Sequence, residues 1–551
     1  MHRWQSHWAL HLGSACVWLV SACAVDDRNV RFVDGDLGEA APNRSVGGVG
    51  GAPNSDGSDG DREADMAPMD QGSEVAGGSQ DVVPLDPAPS GGNDDPSSAP
   101  PSGAGPSGGA PPAGSAPPSS MPPTSTPAPQ PEPAPPPPPD QDVTVTLTGA
   151  GRVTSSPAGI DCPGSCTFRF AGGSTVTLSA EGVPASGSYF AGWSGSCAGF
   201  DECSLTMDRA HTVSSGFGPA NIAFITAALV NPTQLGGLAG ADQFCQASAA
   251  AAGLPGTYMA WISDSTADAV DRVQARGARG WVRPDGLEVG DTITRMLAGE
   301  MFHPLRADEN GVDIGTGDDI GDSNALTGTN PEGRWSQSSC GNWDDPSAEG
   351  TLGSSSSVGL SFTDNGNYAC SGDGARPSGL FCFGVDRAVR VEPRRSGGRL
   401  AFISDGLFTP GNGIASADAL CAGEAQAIGR SGTFRAALAL ADTLPEQRFN
   451  LNGSPWVRVD GVLLADTAAA FFLDDFTTSP LNVTASGSYL RSTALWYGRG
   501  RTGLVDDDST CVSWTSTTAT GLLHQATTSE PFQATVPVPC TGASPIMCLE
   551  D

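Results

Sequence analysis

The sequence predicts a multidomain chain: a disordered linker, a small all-β module, and two larger α+β domains. Three observations carry that expectation. Gly (73) and Pro (45) are abundant while only 16% of residues are charged and 7% aromatic, so part of the 551-residue chain is low-complexity. A stretch of period-2 hydrophobicity follows the low-complexity part. Beyond it a set of motifs recurs in order at nearly constant spacing, the mark of a duplicated domain.

Charge narrows the partners. The formal net charge is -33, from 61 acidic side chains against 28 basic ones, all of them Arg. So negative a chain is repelled by nucleic acid and by anionic head groups, and favours neutral or cationic partners or metal ions. Beyond Cys16 and Cys23, the cysteines fall in three groups of four: Cys162, Cys166, Cys197, Cys203; then Cys245, Cys340, Cys370, Cys382; then Cys421, Cys511, Cys540, Cys548. Even groups in an exported chain read as disulfides. Zinc is the alternative, and only the first group approaches the short ligand spacing it needs.

Residues 1–22 form a targeting segment: Arg3 near the start, then an apolar run from Trp8 to Val20 that is too short to span a membrane. The segment closes on Val20-Ser21-Ala22-Cys23, which resembles the bacterial lipobox. That resemblance implies cleavage before Cys23, which becomes the acylated amino terminus, hence a membrane partner through a lipid anchor of several acyl chains. Ala24, not Asp, follows the cysteine, which leans toward the outer membrane. From Cys23 to Asp142 the chain is Gly, Ser, Pro, Ala and Asp, with an unbroken proline run at Pro135–Pro139. Such a segment buries too little apolar surface to offset its chain entropy, and is a disordered tether. A flexible coil of that length spans about 60 Å.

Residues 143–218 form the small β module. Val143, Val145 and Leu147 alternate with threonines, Gly149-Ala150-Gly151 turns the chain, and Thr175–Leu178 alternates again. With Val153, Pro157, Gly159, Ile160, Gly192, Trp193, Met207 and the four cysteines, the segment resembles a divergent internalin-type B repeat, a spacer module of bacterial surface proteins. Local pairs Cys162–Cys166 and Cys197–Cys203 are the expectation, although four cysteines allow three connectivities.

The two larger domains occupy 220–392 and 398–551. Ala223-Phe224-Ile225 recurs as Ala401-Phe402-Ile403, and Ala241-Asp242…Cys245 as Ala417-Asp418…Cys421. Gly253…Ala260 is matched by Gly429…Ala436, Trp281-Val282-Arg283…Asp285-Gly286 by Trp456-Val457-Arg458…Asp460-Gly461, and Cys340…Trp343 by Cys511…Trp514. Within a copy, Phe-Ile reads as a strand, Ala241–Ala252 as a helix ended by Gly253, Thr257–Ile262 as a second strand, and Leu380–Phe383 or Ile546–Leu549 as a closing strand. Long Gly/Asp/Ser loops lie between them, giving an α+β domain.

These motifs, with Gly328-Thr329-Asn330-Pro331-Glu332-Gly333 and the closing Cys370 and Cys382, resemble the endostatin-like domain, which has a C-type-lectin-like fold, and more closely its bacterial lipoprotein relatives. The resemblance implies the pairs Cys245–Cys382, Cys340–Cys370, Cys421–Cys548 and Cys511–Cys540. It implies a non-catalytic, surface-exposed binding or adhesion protein of the outer membrane, whose partner is an extracellular protein or glycan. The family's zinc site needs a His-rich amino-terminal segment, and 220–235 hold no His.

Other chemistry has little to stand on. His211, His303 and His524 are one per folded domain at non-equivalent places, which reads as structural histidine, not as a catalytic set. With no Lys there is no lysine-bearing phosphate loop. Calcium is the cofactor to consider: Asp308, Asp313, Asp318, Asp319 and Asp322 crowd one Gly-rich loop and offer oxygen ligands. The alternative function is therefore a calcium-dependent glycan-binding lectin, and the alternative for the loop is a solvated acidic segment. Arg387, Arg390, Arg394, Arg395 and Arg399 gather between the copies and read as solvated linker charge.

Overall fold

The computed structural model describes residues 136–314, 324–372, 378–473, 476–500, 505, 507–530 and 536–551. The signal peptide, Cys23 and nearly all of the tether lie outside these. All described residues belong to one unit, Ser125–Asp551.

The β module opens with the strand Gln141–Thr148, two residues earlier than its alternation first shows, and ends with His211–Gly218. These two strands pair in parallel at the centre of a four-stranded sheet. A second four-stranded sheet has Gly151–Ser156 and Thr175–Gly182 at its centre. Val143, Val145, Val153, Val176, Leu178 and Trp193 fill the core, the inward half of the period-2 pattern. Cys162–Cys166 and Cys197–Cys203 are disulfides that staple adjoining loops and short strands of the module.

The two larger domains are built on one plan. In the first copy the strand order is Tyr258–Ala260, Phe381–Gly384, Asn221–Ile225, Trp281–Val282, Glu288–Gly290. In the second it is Phe434–Ala436, Met547–Glu550, Arg399–Ile403, Trp456–Arg458. Register repeats too: Phe224 faces Cys382 and Phe402 faces Cys548. A second, three-stranded sheet accompanies each. The result is a multidomain α+β chain of several small sheets with few helices.

The long helix of each copy, Gly237–Ala251 and Ile414–Ala427, buries only small residues: Ala241, Cys245, Ala249 and Ala417, Cys421, Ala425. Spacing of four puts them on one stripe, and their size lets the helix lie close to the sheet. The first helix begins a turn before Ala241, directly after Gly236, whose φ of 76° suits glycine. Cys245–Cys382 and Cys421–Cys548 bolt the helix stripe to the strands Phe381–Gly384 and Met547–Glu550, and close loops of 137 and 127 residues. Loops so long give the largest effect in the chain-entropy account, about 5 kcal/mol each. Beside each bolt an acid on the helix holds an arginine: Asp242 with Arg272 at 2.6 Å, Asp418 with Arg448 at 2.7 Å.

The second disulfide of each copy, Cys340–Cys370 and Cys511–Cys540, anchors an unusual turn. Four consecutive residues are left-handed: Cys340 to Trp343 have φ of 48°, 58°, 64° and 70°, and Cys511 to Trp514 have 51°, 53°, 52° and 68°. A non-glycine residue there costs about 1–2 kcal/mol. The turn is held at its first residue by the disulfide and at its last by a buried tryptophan. Trp343 Nε1 donates to Ser263 O at 3.1 Å and Trp514 Nε1 to Ala439 O at 2.7 Å.

The two copies meet through like parts. Ser357 bridges Thr528 in antiparallel fashion, and Thr528 is its own counterpart in the repeat. Around that bridge Ser529 N donates to Ser356 O and Val358 N to Thr527 O, both at 2.8 Å. The counterpart of 356 is 527 and that of 358 is 529, so each contact is matched by its mirror partner. This is the self-complementary pattern of a two-fold interface, here within one chain. Buried arginines reinforce it: Arg306 Nη1 donates to Thr477 O and Ser529 Oγ, and Arg458 Nη1 reaches Met301 O at 3.5 Å.

Candidate functional site

A polar cleft of about 390 Å³ opens beside this interface. The first copy supplies one wall. The short hairpin after Trp281 brings Arg283, Asp285 and Glu288, and the segment that follows brings His303, Arg306 and Asp313. The second copy supplies Leu463, Asp466 and Thr478, and the segment joining the copies supplies Arg394 and Ser396.

Most of its charge is committed. Arg283, 3% exposed, grips Asp285 two residues on through Nε and Nη2, and Nη1 donates to Pro304 O at 3.1 Å. Arg306 Nε is held by both oxygens of Asp313 at 2.7 and 2.9 Å. His303 is buried, and its Nδ1–H donates to the Glu288 carbonyl at 2.8 Å; burial lowers its pKa to about 3 and keeps the ring neutral.

Glu288 differs. It is 1% exposed. Oε1 accepts from Arg394 Nη2 at 3.2 Å, while Oε2 is buried without a hydrogen-bond partner. Burial pushes its carboxyl pKa up, and the opposing pull of its own backbone N–H and of Arg394 does not cancel that. Arg394 is itself half-exposed, and it also lines a second cleft of about 660 Å³ between the β module and the first copy. Tyr189 of the β module stands nearby, its phenol raised to about 12 by burial and by the Glu288 charge.

The residues singled out from the sequence fall in several places. Asp308 is buried and its Oδ1 accepts from the N–H groups of Asn310 and Val312, both at 2.8 Å, which closes a tight turn. Asp313 is bound to Arg306. Asp318, Asp319 and Asp322 lie outside the described residues. Among the described residues no three His, Cys, Asp or Glu side chains gather to hold a metal. The cysteines form the six pairs expected, four from the endostatin resemblance and two local ones. His211, His303 and His524 are all buried, one in each folded part.

Three of the five arginines between the copies are not solvated linker charge, while Arg394 and Arg395 are exposed as expected. Arg387 donates to Ala220 O at 2.8 Å, Arg390 to Phe200 O at 2.9 Å, and Arg399 lies 4.0 Å over the Trp456 ring. They dock the joining segment onto all three folded parts. Sequence reading missed this because the contacts that dock these three are to backbone carbonyls and a ring, which leave no charge pattern. It missed Glu288 too, although a signal existed: the repeat places Leu463 where the first copy has Glu288.

The sequence matches no known protein-family profile and no curated protein. Among the described residues no helix is long and apolar enough to cross a membrane.

Proposed function

We propose that the chain is a non-catalytic binding or adhesion protein, lipid-anchored at Cys23 in the bacterial outer membrane and exposed at the cell surface. It engages an extracellular protein or glycan through two endostatin-like domains of C-type-lectin-like fold. The observation that carries this reading is the duplication itself. Disulfides, buried tryptophans and the Asp–Arg pair are kept in both copies. The loops and the cleft residues between them differ, as in a scaffold whose loops do the recognising. The tether gives reach, and two copies on one chain raise avidity where both find a ligand.

Two measurements test it. Antibody or protease access to residues 220–551 on intact cells is expected; protection there would remove the surface assignment. A binding screen of the purified chain against matrix proteins, plasma proteins and glycans is expected to return a ligand. Glycan binding abolished by a chelator would instead favour the calcium-dependent lectin, with the Asp308–Asp322 loop as its site.

A further inference from the structure

We propose that the cleft between the two copies binds a guanidinium or primary ammonium group, seated on the carboxylate of Glu288 in place of Arg394. The first ground is internal to the chain. Val282 pairs with Glu288 across the hairpin, and in the second copy Val457 pairs with Leu463. The same position of the same scaffold therefore folds with an apolar side chain. The fold does not ask for a carboxylate at 288, yet one is buried there.

The second ground is its unmet bonding. Glu288 is 1% exposed and Oε2 has no hydrogen-bond partner, an arrangement that costs stability unless a donor arrives. An ionised carboxylate only accepts, so what completes it must donate. Its present side-chain donor, Arg394, makes one bond at 3.2 Å from a half-exposed position, a hold that an incoming cation can replace. The other two arginines of the cleft are neutralised by Asp285 and Asp313, so they do not favour an anion there. Exposed Asp466 on the opposite wall adds negative charge. The net charge of -33 draws cations to the surface as a whole. A cleft of about 390 Å³ has room for an arginine or lysine side chain, or for a small free amine.

The inference concerns binding by the purified chain and stands apart from its cellular location, so cell-exposure results do not bear on it. Titration calorimetry of the full, disulfide-intact chain is run with two probes: agmatine as a free amine, and a capped Gly-Arg-Gly peptide as a protein-borne guanidinium. Saturable binding of at least one is expected. Binding of agmatine alone assigns the site to small amines, and binding of the peptide, with or without agmatine, to a partner's side chain. Glu288→Leu, which copies the second repeat, is expected to fold and to bind about tenfold or more weakly. Glu288→Gln keeps the shape and is expected to weaken binding in the same direction. Arg394→Ala removes the internal competitor and is expected to tighten binding severalfold. Absence of saturable binding by both probes, or undiminished binding by a folded Glu288→Leu chain, overturns the proposal. So does tighter binding of N-acetylglutamate than of agmatine.

Discussion

His303 and His524 are each buried and neutral, with pKa values lowered to about 3 and about 4 by loss of solvent. A histidine whose folded pKa lies below its unfolded value binds its proton more readily when unfolded. Stability from such a group is complete above about pH 6.5 and is lost as pH falls toward the folded value. Each of the two therefore costs about 2 kcal/mol by pH 5. Glu288 works in the opposite sense, since its raised pKa lets the folded chain take up a proton first, and it offsets part of the loss. Denaturant unfolding at pH 7.5 and pH 5 is expected to show a net fall, and His303→Gln to remove roughly half of it. A stability unchanged between those pH values would contradict burial of the neutral rings.

The left-handed turns tie local strain to the disulfide framework. The two copies differ inside the turn: Gly341 in the first, Val512 in the second, with φ of 58° and 53°. Glycine accepts this conformation without cost and a β-branched residue does not. Val512 is 39% exposed, so little packing compensates. Val512→Gly is expected to stabilise the chain by about 1 kcal/mol and raise its Tm by a few degrees. Gly341→Val is expected to destabilise by more, because its Cβ meets Asp345. Elements of this kind mark the limit of sequence reading. The helix, the Phe-Ile strand and the cysteines were legible because period, glycine stops and repetition declare them. The turn was not, since Cys-Val-Ser-Trp carries no left-handed signal and its conformation is imposed by the disulfide and the buried tryptophan.

The whole molecule is more than beads on a string. Arg306 and Arg458, 5% and 0% exposed, are each bonded within their own copy and across to the other. Removing either leaves buried acceptors without donors, at a cost of about 3–5 kcal/mol. Calorimetry is expected to show the two copies unfolding in one transition, and Arg306→Ala with Arg458→Ala to split it into two. Two independent transitions in the unaltered chain would disprove the coupling. Repetition foretold two domains but not that they face each other, because Ser357 and Thr528 are ordinary polar residues whose meeting depends on the folded surfaces around them.

The seam between the copies has a last consequence. A dimer of identical chains must write every substitution twice, once on each side of its axis. Glutamate at position 288 in such a dimer would set two carboxylates around one cleft, where like charges resist burial together. Joining the halves covalently lifts that bookkeeping. One side keeps leucine at 463 and the other takes glutamate at 288, so one buried acid can sit at a position where a symmetric assembly would hold a pair or nothing.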